Sequence, residues 1–443
     1  MTLDRRTALT IIAGASTAPF LARTSGGSDA SWGLATPGKH EHRRQDEGGA
    51  PITGRLLSGL EAIDASVSTV MAAHGVPGAA LAIAVGGRLV VARGYGFAQV
   101  QARVPMRPET NIALASVSKV FTAQAILKLV EQGRLKLDDR AFSWFRDMRP
   151  PEGMREDPRL EEITIRMCLQ HTGGWNRKTS GDPSGWTARI QRALHIERAP
   201  TPFEMIRYMK GVPLDFNPGS QQAYSNFGFV LLGGVIAQLT KQDYPEFIQQ
   251  FMLHPMGITG MRIEEPPPDY LPGEAHRYLL PSEHPLPGGN HRMMLAAGGW
   301  SASCVDMARL LTAIDGSRTG TNWLSPALMQ AMVTPAPGIA PASPQHWMGL
   351  GWDEVEKYPP TEPGGAERYS WGKDGALGGI QTWVQHLAEG ANFALLLNSS
   401  PQHNAGTPGG LAVIRSCVVE FIRGVRGWPA GDLFADFAGA EVR

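Results

Sequence analysis

Residues 116–133 read Ser-Val-Ser-Lys-Val-Phe-Thr-Ala-Gln-Ala-Ile-Leu-Lys-Leu-Val-Glu-Gln-Gly. The run predicts a helix that opens at Ser116 and ends at Gly133, because glycine is common just past a helix end. Its apolar residues lie on most faces, which indicates a helix buried at the centre of the fold. Ser116 and Lys119 are three residues apart and share one face. Because burial lowers the pKa of a lysine, Lys119 is a candidate to accept the proton of the Ser116 hydroxyl.

The same spacing of serine and lysine occurs again at Ser370 and Lys373. There it lies in a turn rich in tryptophan and glycine, not at the start of a helix, where the helix dipole favours developing negative charge. Ser116 is therefore the candidate nucleophile, and Ser370 is rejected.

Tyr224-Ser225-Asn226 is the one Tyr-x-Asn sequence among the eight tyrosines. It lies between the turn at Pro218-Gly219 and the apolar run 227–236. A tyrosine there can receive the proton of the serine or protonate the leaving group, and Asn226 can hold a substrate through its amide. The alternative is a helix-capping turn with a half-buried tyrosine, which this motif alone does not exclude.

Lys373-Asp374-Gly375 stands in the glycine-rich stretch 369–379. Glycine lets a backbone approach a ligand closely, and a strand edge there can donate a backbone N–H to an oxyanion. The alternatives are an exposed lysine and a glycine-rich hairpin bend. Together the three motifs indicate a serine hydrolase that needs no histidine base, no metal and no cofactor.

The composition excludes several other classes. Lysine plus arginine and aspartate plus glutamate both number 41 in 443 residues, so no overall charge attracts nucleic acid or a membrane surface. No 18-residue apolar run fits a bilayer. Cys168, Cys304 and Cys417 are far apart and odd in number, which argues against a disulfide framework or a cysteine-rich metal site. The expected partner is a small ester, amide or peptide, and the oligomeric state is not predicted.

The N-terminus has the pattern of an export signal. Arg5-Arg6 precede the uncharged stretch 7–22, which resembles a twin-arginine signal. We therefore predict a signal over residues 1–25, a disordered linker over 26–51, and an exported protein, periplasmic or secreted. The alternative is a frayed N-terminus of a cytosolic protein.

The remainder predicts one hydrolase domain over residues 52–430. Helical spacing over 56–74 ends at Gly75, and apolar runs predict hairpins at 81–92 and 379–397 and a helix at 411–425. A sheet lobe is expected from about 52–140 and 295–430, and a helical subdomain from about 141–294. Within the latter, the proline-rich and aperiodic stretch 264–292 is expected to cover or border a site.

The motifs and their flanks resemble the class C β-lactamase and penicillin-binding-protein-like serine hydrolases over roughly residues 52–426. Three flanking segments match that family in order. They are Leu169-Gln170-His171-Thr172-Gly173-Gly174, Pro218-Gly219-Ser220 with Tyr224-Ser225-Asn226-Phe227-Gly228, and Ala297-Gly298-Gly299-Trp300 with Asp306 and Ala308.

The resemblance implies an α+β fold of the DD-peptidase/β-lactamase type. An antiparallel sheet would carry helices on both faces, beside an all-helical subdomain, with the site in the cleft between them. The resemblance also implies a role for each motif residue. Ser116 would be acylated, Lys119 and Tyr224 would share the acid and base work, Asn226, Lys373, Asp374 and Gly375 would line the substrate site, and the backbone N–H groups of Ser116 and Ala376 would form the oxyanion hole.

One residue departs from the family pattern. Asp374 occupies a position that usually carries threonine, serine or glycine, and in members that bind β-lactams a hydroxyl there helps to hold the substrate carboxylate. A carboxylate at this position would repel that group. We therefore expect weak β-lactam turnover and a preference for neutral or amine-bearing substrates, unless an arginine pairs with Asp374.

The sequence thus favours a serine hydrolase with esterase-like activity. Peptidase or amidase action on D-amino-acid peptides is the second hypothesis, and β-lactam hydrolysis the third, because one fold can host all three. A catalytically silent ligand-binding protein with the same fold is the alternative of another class. The intact set Ser116, Lys119 and Tyr224 argues against it.

Overall fold

The structure is a computed structural model that describes residues 50–264, 270–280, 282, 284–286, 292–316, 322–341, 343–362, 365–401 and 410–437. The predicted export signal and all but the end of the predicted linker lie outside the described residues. In the part that is described, no helix is long and apolar enough to cross a membrane.

The strands fall at the two ends of the domain, with a few short ones between. They are β1 (Ile52–Leu56), β2 (Gly78–Val85), β3 (Arg88–Gln99), β4 (Val104–Pro105), β5 (Ile112–Ala113), β6 (Arg262–Ile263), β7 (Tyr278–Leu280), β8 (Trp300–Ala302), β9 (His346–Trp347), β10 (Glu354–Tyr358), β11 (Arg368–Leu377), β12 (Ile380–His386), β13 (Ala391–Leu397) and β14 (Ser399–Pro401). The main sheet has the order β1-β3-β2-β13-β12-β11-β10-β9, with β4 also paired to β3. Its neighbouring strands are antiparallel, which confirms the predicted antiparallel sheet.

The helices flank this sheet and fill the stretch between its two halves. They are α1 (Ala62–His74), α2 (Lys119–Glu131), α3 (Ile165–Leu169), α4 (Thr187–Leu194), α5 (Pro202–Met209), α6 (Asn226–Thr240), α7 (Tyr244–Ile248), α8 (Leu295–Gly298), α9 (Cys304–Ile314), α10 (Pro326–Met332) and α11 (Gly410–Gly424). Short 3-10 turns connect several of them, and the one at Ala115–Ser118 leads directly into α2.

Apolar residues alternate along the central strands and form a core on each face of the sheet. In β13, Phe393 and Leu395 face a cluster that contains residues of α1 and α11. Ala394 and Leu396 face the opposite cluster, which contains residues of α2 and α9. The sheet is therefore buried on both faces, as the resemblance implied.

Two predicted helix starts were wrong. Leu56 ends β1, where it pairs with Val91 of β3, so the first helix begins only at Ala62. Pairing with a neighbouring strand outweighs the local helical spacing there. The predicted central helix also starts later, because Ser116 lies in the 3-10 turn and α2 begins at Lys119.

Candidate active site

The 3-10 turn that carries Ser116 has an unusual backbone conformation and packs closely against β11. Ala115 has a φ of +48°, a conformation that is uncommon for a residue with a side chain and is typical of sharply turned functional backbones. On the other side, β11 lies against the turn at Gly375. A Cβ on Gly375 would lie 2.2 Å from the carbonyl oxygen of Leu114, so only glycine fits this approach.

The turn brings Lys119 directly to the nucleophile. In a 3-10 turn the side chains of residues i and i+3 eclipse, which is a closer alignment than the predicted helix would give. The Nζ atom of Lys119 lies 3.0 Å from the Oγ atom of Ser116. It also donates to Oδ1 of Asn226 at 2.7 Å and to the carbonyl oxygen of Ala297 at 2.6 Å.

Burial makes Lys119 a usable base. Its side chain is fully buried, and burial followed by the nearby charge of Lys373 holds the pKa of Lys119 well below its usual value of 10.5. A neutral amine has two N–H donors and one lone pair. The two donors match the acceptors on Asn226 and Ala297, which leaves the lone pair for the Ser116 hydroxyl.

Tyr224 contacts the serine from the other side. Its hydroxyl donates to Oγ of Ser116 at 2.7 Å. Burial, followed by the carboxyl groups of Asp353 and Asp374, holds the pKa of Tyr224 well above its usual value of 10.0. The phenol therefore keeps its proton in the resting site and can donate a hydrogen bond to the serine oxygen.

His171 holds the ring of Tyr224 in place. The two rings stack with their centroids 4.4 Å apart. Nδ1 of His171 accepts a hydrogen bond from the backbone N–H of Ser225 at 3.2 Å, and burial holds the pKa of His171 well below its usual value of 6.5. A neutral imidazole thus supports Tyr224, which gives a physical role to the segment that contains His171.

Asn226 is engaged at both ends of its amide. Its Oδ1 accepts from Lys119, and its Nδ2 donates to Oδ2 of Asp182 at 2.7 Å. Ser225 caps α6 with its side chain, so the predicted capping turn also exists alongside the chemistry. One N–H of the Asn226 amide remains for the substrate role that the sequence predicted.

The Lys373 side of the site carries an unexpected pair of carboxyl groups. Nζ of Lys373, fully buried, donates to Oδ1 of Asp353 at 2.5 Å. Burial raises the pKa of Asp353 to about 8 despite Lys373, with a hydrogen bond to Asp374 adding to the rise. Burial also tends to raise the pKa of Asp374. The hydrogen bond between Asp374 and Asp353 and the charge of Lys373 outweigh burial and hold the pKa of Asp374 below its usual value. Near neutral pH the two carboxyls therefore hold one proton between them.

The edge of β11 is open beside the serine. The carbonyl oxygen of Gly372 accepts from the backbone N–H of Asp353 at 3.1 Å, so the backbone hydrogen-bonding groups of Gly372 point toward β10. Backbone groups alternate along a strand, so the N–H of Ala376 faces the same side. Pairing of β10 with β11 stops at Gly372, and among the described residues no strand continues along that edge. The N–H of Ala376 therefore lies on the unpaired part of this edge, and its role in an oxyanion hole stays a prediction.

Part of the proline-rich stretch lies near this edge. A Cβ on Gly379, in the turn after β11, would lie 2.9 Å from the backbone nitrogen of Tyr278 and 3.0 Å from the side chain of Leu286. Both residues belong to the segment predicted to border a site. The remainder of 264–292 is only partly among the described residues.

Comparison with known proteins now identifies the family. Residues 63–412 match the family described as Beta-lactamase. This chain belongs to the β-lactamase family. Among curated members of related sequence, Protein flp of Staphylococcus aureus (strain COL) is 33% identical over 184 residues, which are 42% of this chain and 34% of flp. The match thus spans about a third of that relative's length.

Solved structures share the fold over most of the chain. The octameric penicillin-binding protein homologue from Pyrococcus abyssi is 25% identical, with a TM-score of 0.62 over 82% of this chain and 77% of that one. EstCE1, a hydrolase with promiscuous acyltransferase activity, is 21% identical, with a TM-score of 0.63 over 81% and 99% of the two chains. The D-amino acid amidase from Ochrobactrum anthropi SV3 has the same identity and TM-score over 83% and 100%. Family and fold together confirm the predicted serine hydrolase.

In this β-lactamase family member, hydrogen bonds and close contacts bring together the predicted residues Ser116, Lys119, Tyr224, Asn226, Lys373, Asp374 and Gly375. The structure also adds residues to the site. Asp182, Asp353, Arg177 and the carbonyl of Ala297 were not predicted to act in the site. Asp182 stands before Pro183, a pattern that indicates a helix cap, and Asp353 lies in no motif. Among the described residues, no group of three histidine, cysteine, aspartate or glutamate side chains could hold a metal ion.

Proposed function

We propose that this chain is an esterase-like serine hydrolase that forms an acyl-enzyme on Ser116. The observation that supports this best is the position of the Ser116 Oγ atom, 3.0 Å from Nζ of Lys119 and 2.7 Å from the Tyr224 hydroxyl. A nucleophile between a poised base and a proton donor is the minimum that acyl transfer requires.

The proposed reaction has two halves. Lys119 takes the proton of Ser116 while Oγ attacks the ester carbonyl, and the oxyanion forms toward the N–H groups of Ser116 and Ala376. The tetrahedral intermediate then collapses, and a proton from Lys119 passes to the leaving alcohol by way of Tyr224. Water releases the acid in the second half, with the same two side chains handling its proton.

The charges beside β11 favour a substrate without a carboxylate at that edge. Asp374 stands where a hydroxyl would otherwise meet such a group, and a pKa held below its usual value keeps Asp374 ionised. A substrate carboxylate beside Asp374 would therefore meet a negative charge. This argues for simple esters ahead of β-lactams, whose ring carboxylate needs a cation.

A D-amino-acid amidase or peptidase is the second candidate. The same carboxylate of Asp374 that disfavours an anion would attract a substrate amine. The D-amino acid amidase from Ochrobactrum anthropi SV3 shares the fold. Turnover of D-phenylalanine amide exceeding that of a short ester would make this the leading function.

The test compares kcat/KM for 4-nitrophenyl butyrate with that for a chromogenic cephalosporin, using the Ser116→Ala variant as the blank. We expect the ester to be favoured by a large ratio. A ratio below one would refute the esterase proposal and the argument from Asp374. Labelling by a fluorophosphonate that is lost in Ser116→Ala is expected as well, whereas an unlabelled wild type would indicate a silent binding protein.

A further inference from the structure

Arg177 lies in the active site, with its guanidinium over the ring of Tyr224. Its guanidinium carbon is 4.7 Å from the centroid of the Tyr224 ring, and the side chain is half-buried. Its positive charge acts on Tyr224, His171 and Asp374: it opposes the rise in the pKa of Tyr224 and adds to the lowering of the other two, in each case behind larger causes. Within the described parts of the chain, the guanidinium makes no hydrogen bond and no ion pair.

The backbone on both sides of Arg177 is fixed. The N–H of Asn176 donates to Oδ2 of Asp215 at 2.7 Å, and the N–H of Lys178 donates to Oδ1 of Asn176 at 3.0 Å. The backbone of Asp215 is itself fixed, because its N–H donates to the carbonyl oxygen of Gly174 at 2.9 Å. The backbone at Arg177 is therefore held in a hydrogen-bonded turn.

The chemistry of the guanidinium indicates what it binds. Contact with the face of the Tyr224 ring uses none of its five N–H donors. A half-buried guanidinium with unused donors is complementary to a carboxylate, which it can hold through two parallel hydrogen bonds. Asp374 does not supply that carboxylate here, because its hydrogen bond goes to Asp353 beside Lys373.

We propose that Arg177 binds a carboxylate of the substrate beside the ring of Tyr224. The site would then disfavour a carboxylate that contacts Asp374 and favour one that reaches the Arg177 guanidinium. The substrate class is an ester that carries a single carboxylate, such as a half-ester of a short dicarboxylic acid. This inference rests on the proposed esterase function and names its substrate.

The experiment uses two matched pairs of chromogenic esters. In the first pair, 4-nitrophenyl hydrogen glutarate is compared with its methyl ester, so the charge lies in the acyl part. In the second, 3-carboxy-4-nitrophenyl acetate is compared with 4-nitrophenyl acetate, so the charge lies in the leaving group. For at least one pair, Arg177→Ala should lower kcat/KM of the charged ester about tenfold or more relative to its neutral partner, the scale of a charge-assisted hydrogen bond.

Two further variants sharpen the result. Arg177→Lys should keep part of the preference, because it retains the charge without the paired donors. Arg189→Ala is the matched control, since its guanidinium lies 4.1 Å over the ring of Trp186 and has no place in the site. It should leave both ester ratios unchanged. Equal losses for charged and neutral esters in Arg177→Ala would overturn the proposal, because Arg177 would then only orient Tyr224.

The neutral esters separate this inference from the proposed function. If the wild type does not hydrolyse them through Ser116, the esterase proposal fails by itself. Arg177 is then judged from calorimetric binding of glutarate and dimethyl glutarate to Ser116→Ala, with and without Arg177→Ala. Weaker binding of glutarate alone in the double variant supports the carboxylate site, and equal binding of glutarate to the two variants overturns it.

Discussion

The two sides of the cleft are built on different principles. On the α2 side, Ser116, Lys119 and Tyr224 are joined by hydrogen bonds, and burial keeps Lys119 and Tyr224 in their neutral forms. On the β11 side, hydrogen bonds join ionisable groups, Lys373 to Asp353 and Asp353 to Asp374, and one proton is shared between the two carboxyls. The first side can move protons, and the second can set the charge that a substrate meets.

Because the two sides differ in this way, we expect substitutions on them to have two different kinetic effects. A change on the α2 side should alter the rate for every substrate, because it removes a group that acts on the reacting atoms. A change on the β11 side should alter the ratio between substrates of different charge.

The largest effect is expected for Lys119→Ala. Loss of the amine removes the proposed base, and kcat/KM for 4-nitrophenyl butyrate should fall about a thousandfold, within the usual range for general base catalysis. The fall should be equal for charged and neutral esters. Steady-state kinetics on the purified variant measures both.

The matched control is Lys128→Ala on the same helix. Lys128 donates to Glu131 and to the carbonyl oxygen of Trp323, far along α2 from the serine. That variant should keep its activity. Thermal unfolding of both variants separates a loss of chemistry from a loss of fold, and a folded Lys119→Ala protein with more than a tenth of wild-type activity would place the base elsewhere.

A smaller effect is expected for Asp374→Thr. The hydroxyl restores a donor at the edge of β11, and the nearest carboxylate is removed. The ratio of kcat/KM for a cephalosporin to that for 4-nitrophenyl butyrate should rise about tenfold, the value of one hydrogen bond to a charged group. Asp374→Asn serves as the control, since it removes the charge without adding a hydroxyl. No rise in either variant would show that Asp374 does not repel the carboxylate.

The site residues that could be predicted from the sequence are those whose contacts follow from local spacing or from ordered motifs. Ser116 and Lys119 are three residues apart, so local spacing was enough to place them together, and ordered motifs added Tyr224. The 3-10 turn was missed because the positive φ of Ala115 has no signal in an alanine. Glycine at Gly375 was recognised, but its approach to Leu114 could be seen only in three dimensions.

The partners on both sides escaped prediction for one reason. Asp353 reaches Lys373 because β10 pairs with β11, and Asp182 reaches Asn226 across a loop. Neither contact is local in sequence, and neither aspartate lies in a motif. Arg177 follows a segment that was recognised, yet nothing in its own position indicated that it lies over Tyr224.

The smallest effect is expected for Asp353→Asn, and it concerns pH. In the wild type Asp353 loses its proton as pH rises through about 8. The added negative charge lies near Tyr224 and opposes the oxyanion that forms at Ser116, so kcat/KM for a neutral ester should fall several-fold above that pH. Because asparagine cannot titrate, Asp353→Asn should lack this alkaline fall.

Glu354→Gln is the neighbouring control, because Glu354 pairs with Arg415 and points away from Lys373. It should keep the wild-type profile. If kcat/KM still fell near pH 8 in Asp353→Asn, the fall would be caused by the titration of another group. The proton shared by Asp353 and Asp374 would then not set the charge of the β11 side. If the alkaline fall in kcat/KM vanished in Asp353→Asn but not in Glu354→Gln, the charge of the β11 side would influence the reaction. Ser116, Lys119 and Tyr224 on the α2 side would be the same in both variants.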